Sequence, residues 1–187
     1  MAGFVVLLRG VNVGGNNKVP MAGLRTALTA GGFDDVRTYI QSGNVIGSSD
    51  RRSALKTVAG RVTDTIRTEF GVDVRAVALT RSALDAVVDA NPYMDEPDPR
   101  KVHVLFLLDP EDDAAATRID DLASAATAKR DAGERVAVIG PAAYLHTPDG
   151  FGTSEVAKAL SGRRVEATAR NWRTVLTLAD MVRDVDA

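Results

Sequence analysis

The chain has 187 residues, 45% of them hydrophobic, with no cysteine, two histidines and a formal net charge of −2. That length suits one large domain or two small ones, able to bury a core without a disulfide or metal staple. The missing cysteine excludes disulfide frameworks, zinc ribbons and thiol catalysis together, and His103 and His146 are too few for a His-rich metal site.

A near-neutral chain carries no global basic signal for nucleic acid, but its charges are unevenly placed. From Gly152 to Thr174, Lys158, Arg163, Arg164, Arg170 and Arg173 stand against Glu155 and Glu166, a net of +3. From Asp109 to Asp121 six acids face Arg118, a net of −5. No apolar run approaches the roughly 20 residues of a membrane span, and no basic region precedes an apolar one as in a secretory leader. The expectation is a soluble cytoplasmic protein with no membrane role, no metal and no cofactor.

In chain order, Phe4 to Leu8 is a short apolar strand of the kind covered on both faces. The Gly/Asn-rich loop Gly10 to Pro20 follows, and Pro20 suits the first turn of a helix. Met21, Leu24 and Leu28 recur at helical spacing until Gly31 and Gly32 end the element. Val36 to Gln41 alternates, with Val36, Thr38 and Ile40 on one face and Arg37, Tyr39 and Gln41 on the other. Ser42-Gly43-Asn44 reads as a tight turn into Val45 and Ile46. A helix from about Ser53 to Phe70 carries Leu55, Val58, Val62, Ile66 and Phe70 on one stripe, and Val74 to Leu79 is a fourth strand. The order β-α-β-β-α-β is the ferredoxin-like arrangement.

A short helix from Ser82 to Ala90 leads to Asn91–Pro99, an acidic stretch with three prolines that reads as a domain boundary. Its acids Asp95, Glu96 and Asp98 read as solvated. Beyond it the scheme repeats. Val102 to Leu108 is a strand, Asp112 to Thr127 a helix, and Glu134–Ile139 with Ala143–His146 a hairpin. Ser154–Leu160 is a helix, capped by Thr153 or Ser154. A last helix begins near Thr168 as its N-cap and buries Trp172, Val175, Leu176, Ala179 and Val182. The predicted fold class is α+β: two β-α-β-β-α units, the first with a closing strand, and an extra C-terminal helix. The predicted boundaries are 1–80, a helix and linker over 81–100, and 101–187.

Three stretches carry candidate chemistry. The opening loop places Arg9, Asn12, Gly14, Gly15 and Lys18 ahead of a helix, where freed amides and a cation suit an anion. It matches neither the P-loop nor the dinucleotide fingerprint. Its glycines serve equally to make a turn and its asparagines to take left-handed conformations. The second stretch is Arg37, Tyr39, Gln41, Ser42 and Asn44, either a binding row or the polar face of a hairpin. The third is the start of the last helix, where Arg170 and Asn171 fall in the first turn. A cation there opposes the macrodipole and invites an anion or a carboxylate. No serine sits in a nucleophile elbow, His103 alternates with Leu105 and Leu107 as a half-buried strand residue, and His146 ends a hairpin.

The run Leu7-Leu-Arg-Gly-Val-Asn-Val-Gly-Gly-Asn-Asn-Lys-Val-Pro-Met21, with Tyr39-Ile-Gln-Ser-Gly-Asn-Val45, resembles the bacterial domain-of-unknown-function family DUF1697. Asn91-Pro-Tyr93, the strand around His103 and Ala167–Thr174 follow in the family's order. Gly47 departs from it, standing where an apolar residue such as phenylalanine is expected. The resemblance implies an α+β fold and no activity, so no catalytic residue is carried over.

The reading these stretches support is a module that binds an anionic small molecule, a nucleotide or other phosphorylated metabolite, in a cleft between the units. Arg9, Lys18 and Arg170 would neutralise its charge. A nucleic-acid-binding protein using an open sheet face and the basic C-terminal third is the alternative. A phosphoryl- or acyl-transfer enzyme, without an identifiable nucleophile, is a third. Oligomeric state is not legible.

Overall fold

The computed structural model describes residues 2–50, 54–129, 132–162 and 164–186. The chain divides into two compact units, Met1–Ala86 with Thr177–Ala187, and Val87–Leu176. Each contains a four-stranded antiparallel sheet.

In the first unit the elements are β1 (Ala2–Arg9), α1 (Met21–Ala30), β2 (Asp34–Tyr39), β3 (Asn44–Ser49), α2 (Leu55–Phe70) and β4 (Arg75–Thr80), followed by α3 (Arg81–Asp89). The strand order β2-β3-β1-β4 is ferredoxin-like. β1 is apolar along its length because it is central. It pairs with β3 through Val6↔Val45 and with β4 through Val6↔Ala78. Phe4, Val6 and Leu8 face the helices, joining Leu24 and Leu28 of α1 and Val58, Val62 and Ile66 of α2 in one core. Pro20 is the N-cap of α1, one position ahead of its expected place, and Gly71 closes α2 in the left-handed region. The expected start of α2 at Ser53 lies outside the described residues.

The other face of the central strands is buried as well: Val5, Leu7, Ile46, Val77 and Leu79 are all in the core. An ion pair from Arg37 to Asp184 (3.7 Å) brings the C-terminal end of the chain to that side. The open sheet face on which the nucleic-acid alternative relied is therefore not there. Gly47 is equally resolved. A Cβ at that position would sit 3.0 Å from the Phe4 ring and 3.1 Å from the Asp34 carbonyl. The volume an apolar side chain would have filled is taken by Phe4, which meets Phe33 edge-on at 5.4 Å.

β2 ends two residues earlier than its alternation predicts. Ile40 leaves the Val36/Thr38 face and enters the turn with φ 48°. A strand period cannot survive that dihedral.

In the second unit the elements are β5 (Val102–Leu107), α4 (Ala115–Lys129), β6 (Arg135–Ile139), β7 (Ala142–His146), α5 (Glu155–Leu160), β8 (Ala167–Asn171) and α6 (Trp172–Asp186), whose last turns belong to the first unit. The order β6-β7-β5-β8 reproduces that of the first sheet. The expected helix start at Thr168 is corrected here, because Ala167 to Asn171 is a strand paired with β5 from Leu107↔Ala167 to His103↔Asn171. Ala167 and Ala169 pack on the core under α4 and α5, while Thr168 and Arg170 point to the opposite face. Arg170 is therefore not in a first helical turn, and the macrodipole argument for it falls. On α6 the buried stripe is Val175, Leu178, Ala179 and Val182, whereas Leu176, expected on it, is 38% exposed. Among the described residues no helix is long and apolar enough to cross a membrane.

One glycine is sterically required. At Gly43, with φ 77°, a Cβ would lie 2.3 Å from Val11 Cγ2 and 2.8 Å from Leu8 Cβ, because its carbonyl accepts from the Leu8 amide at 2.9 Å. Gly43→Ala should cost at least about 3 kcal/mol in urea unfolding, from overpacking plus the left-handed backbone. Gly140→Ala, with open space around it, should cost only about 1 kcal/mol. Equal costs would show that the β3 end tolerates displacement.

Candidate functional site

The loop from Gly10 to Pro20 folds on itself through asparagine side chains. Asn12 and Asn17 adopt φ 54° and 50°, the left-handed region that asparagine tolerates. The Asn12 amide donates to the Asn17 carbonyl (3.0 Å) and the Asn17 Nδ2 to the Gly10 carbonyl (3.0 Å). Between them Val13 and Asn16 bridge, the Asn16 amide donating to the Val13 carbonyl at 3.0 Å. Gly14 and Gly15 at φ 57° and 82° supply the two central residues of a primed hairpin turn. The glycines thus make a tight turn, and the tip Val13–Lys18 is exposed.

The Asn12 side chain joins this loop to the β2–β3 turn. Its Nδ2 donates to the carbonyls of Val19 (3.0 Å) and Gln41 (2.9 Å), and its Oδ1 accepts from the Val19 amide (2.9 Å). Asn44, fully buried, donates to the Tyr39 carbonyl at 3.0 Å and to Ser42 Oγ at 3.2 Å, holding the turn from beneath. Asn12 and Asn44 therefore serve the scaffold, and the groups left outward are Lys18, Gln41 and Ser42, with Arg9 half-buried. Arg37 is outward too, beside Asp184. Ile40 at the crest of the turn is a β-branched residue at positive φ, a conformation costing about 1–3 kcal/mol.

Two of the three predicted stretches, loop and turn, are thus joined by the hydrogen bond from Asn12 to Gln41. Arg170 and Asn171 lie in the second unit. Arg170 is buried and bonds through Nη1 to Thr168 Oγ1 and the Ala169 carbonyl, both 2.7 Å, and burial draws its pKa down to about 10. Asn171 uses both ends of its amide internally, donating to the Pro99 carbonyl (3.1 Å) and accepting from the Arg173 amide (3.1 Å). Of the five basic residues counted in the C-terminal third, Arg164 and Arg173 are exposed. Arg170 is inside, Lys158 pairs with Glu155 at 3.7 Å, and Arg163 lies outside the described residues.

A polar cluster in the second unit escaped the sequence reading. Glu96, expected to be solvated, accepts at Oε2 from His146 Nε2 at 2.7 Å, and both side chains are largely buried. Arg135 approaches His146 Nδ1 at 3.5 Å and lies over the Tyr93 ring at 5.3 Å, with Tyr93 5.7 Å from the imidazole. The Glu96 carboxyl is held below the usual carboxylate range, first by His146 and then by the Asp98 amide. Asp98 is not solvated either. Hydrogen bonds from Arg100 take its pKa down to about 2. Of the three linker acids only Asp95 is exposed. The Glu96–His146 contact straps the proline-rich stretch to β7. The signal available in sequence was the two-residue spacing of Tyr144 and His146, which puts both on one face of β7. Tyr144, fully buried, donates to the Val87 carbonyl at 2.8 Å.

Grooves of about 480 Å³ beside Ser124 and Glu134, and about 770 Å³ beside Ala27 and Thr65, open on helix surfaces. Neither is lined by a predicted site residue. No group of three or more His, Asp or Glu among the described residues is placed to hold a metal.

The family described as "Protein of unknown function (DUF1697)" matches this sequence over residues 1–144. The chain belongs to it. For this DUF1697 protein the matched span ends at β7, so Ala167–Thr174 lies beyond it. Its fold is similar to that of the conserved bacterial protein SP0830 from Streptococcus pneumoniae, with a TM-score of 0.70 and 23% identity over 97% of this chain and 98% of that one. No curated protein matches the DUF1697 chain significantly. The structural likeness carries the fold and no activity.

The remaining histidine generates a pH test. His103 lies in β5 with its ring 4.2 Å from that of Phe151, and burial pushes its pKa down to about 4. The unfolded chain, with a value near 6.5, takes up the proton first. Stability is therefore full above about pH 6.5 and falls as pH drops toward 4. His103→Phe should flatten that decline, which is on the order of 3 kcal/mol, in urea titrations across the window. A further loss at lower pH, as Glu96 and then Asp98 protonate, should persist in H103F and shrink in Glu96→Gln, with the Asp98 share remaining. An unchanged slope in H103F would assign the loss to other groups.

Proposed function

We propose that this DUF1697 protein is a binding module for an anionic small molecule, a nucleotide or other phosphorylated metabolite, seated where the opening loop meets the β2–β3 turn. The observation that carries the reading is the Asn12 side chain, bonded at once to Val19 on one segment and Gln41 on the other. It fixes two separated, polar, exposed segments in one place, and a site built this way is preorganised before ligand arrives. Lys18 supplies an exposed positive charge, the half-buried Arg9 at the end of β1 a further one, and Gln41 and Ser42 neutral donors. Arg170 and Asn171 belong to the other unit, and the proposal does not draw on them. The nucleic-acid alternative loses support, since the central strands are buried on both faces and Arg170 of the basic third is inside.

A thermal-shift screen against inorganic phosphate, nucleotides and sugar phosphates tests this. A ligand at about 100 times its dissociation constant adds roughly 2.7 kcal/mol, which for a chain of this size raises Tm by about 5–10 °C. Lys18→Ala should weaken that ligand roughly tenfold by removing a charge-assisted contact. Absence of any shift, or a shift indifferent to Lys18, retires the anion site.

A further inference from the structure

We infer that the ligand of this site is a phosphate monoester bearing an apolar body, and that Val13 and Ile40 receive that body. The inference rests on the anion reading of the loop and turn and adds to it the chemical class of the molecule.

Four described non-glycine residues have positive φ: Asn12, Asn17, Asp35 and Ile40. The first three are types that tolerate the left-handed region through short polar side chains. Ile40 is the exception, a β-branched residue whose side chain is crowded there by the backbone. Packing does not compensate, because Ile40 is 51% exposed. Glycine or asparagine would satisfy the turn with less strain, so what isoleucine contributes is an aliphatic surface presented outward.

Val13 repeats the pattern on the adjoining loop. It immediately precedes the Gly14–Gly15 turn and is 63% exposed. Asn12, its chain neighbour, is the residue bonded to Gln41, the chain neighbour of Ile40. Two exposed aliphatic residues therefore adjoin, in sequence, the two ends of the hydrogen bond that ties loop to turn, among the exposed polar residues Asn16, Asn17, Lys18, Gln41 and Ser42. Inorganic phosphate has no use for such a pair. An ester whose phosphoryl group meets Lys18 would draw both side chains out of water with its aryl or alkyl part, which is where the hydrophobic contribution arises.

Titration calorimetry with inorganic phosphate and 1-naphthyl phosphate decides it, on the parent chain, Lys18→Ala, Val13→Ser and Ile40→Asn. The naphthyl ester should bind the parent at least about fivefold tighter than phosphate does, in keeping with burial of part of an aromatic ring. Val13→Ser and Ile40→Asn should bring that ratio toward one while leaving the affinity for phosphate unchanged. Without ligand, Ile40→Asn should raise Tm by roughly 2–6 °C as the strain is relieved. Lys18-dependent phosphate binding with no preference for the ester would overturn this inference and leave the anion reading standing. Binding of neither probe would end both. A lower Tm for Ile40→Asn would show that isoleucine serves the fold, and would overturn the assignment of Ile40.

Discussion

The Asn12 carboxamide donates twice through Nδ2, to the Val19 and Gln41 carbonyls, and accepts once through Oδ1 from the Val19 amide. Few side chains can do this, since it needs a donor with two hydrogens and an acceptor on one planar group. Aspartate would keep the acceptor and lose both donors. The residue must also stand at positive φ, which asparagine tolerates and most other types do not. Around Asn12 lie the turn at Gly14–Gly15 and the exposed Lys18 of the same loop. The amide groups that look in sequence like ligand donors are used to build the platform. Lys18 and the aliphatic tips stand exposed on its surface.

Much of the scaffold was legible because its signals are local. β1 is an uninterrupted apolar run, and α2 repeats Val58, Val62 and Ile66 at helical spacing, so both were read in place. The segment from Ala167 to Asn171 was misread because two local codes overlap there. Thr168 and Asn171 are good helix caps, yet Ala167/Ala169 and Thr168/Arg170 also alternate with the period of a strand. The unpaired edge of β5 decides between them, and pairing with a strand some sixty residues earlier is not written in the local sequence. Ile40 fails for a related reason. The alternation Val36, Thr38, Ile40 continues through the turn, but hydrophobic pattern carries no information about the sign of φ.

The Glu96–His146 strap shows the limit of composition. Three prolines among acids describe a solvated linker by every compositional measure, and Asp95 behaves that way. Glu96 does not, because His146 supplies a donor at 2.7 Å and the Asp98 amide a second at 3.1 Å. A carboxylate can leave water only where such donors await it. The donors come from another strand, so the burial of Glu96 is a property of the fold, with only the Tyr144/His146 spacing to announce it.

The two units share one topology and differ in where their polar chemistry sits. In the first, the connection after the leading strand is long, tied to the neighbouring turn by asparagine, and carries Lys18 outward. In the second, the connection after β5 is short and acidic, closed by Asp109 on the Glu111 amide at 3.2 Å and Asp112 on the Ala114 amide at 3.2 Å. Asp109 and Asp112 are thus held by the connection's own backbone and, at Asp112, by Arg118 as well. The polar residues of the second unit instead lie beneath the strap and on the Arg170 face of its sheet. A β-α-β-β-α-β frame does not dictate this difference, because the frame constrains only the apolar alternation of its strands and the stripes of its helices. Loop length and loop side chains are free to diverge. That freedom is why the outward cation, the strained isoleucine and the bridging asparagine are all found together on the connections of the first unit.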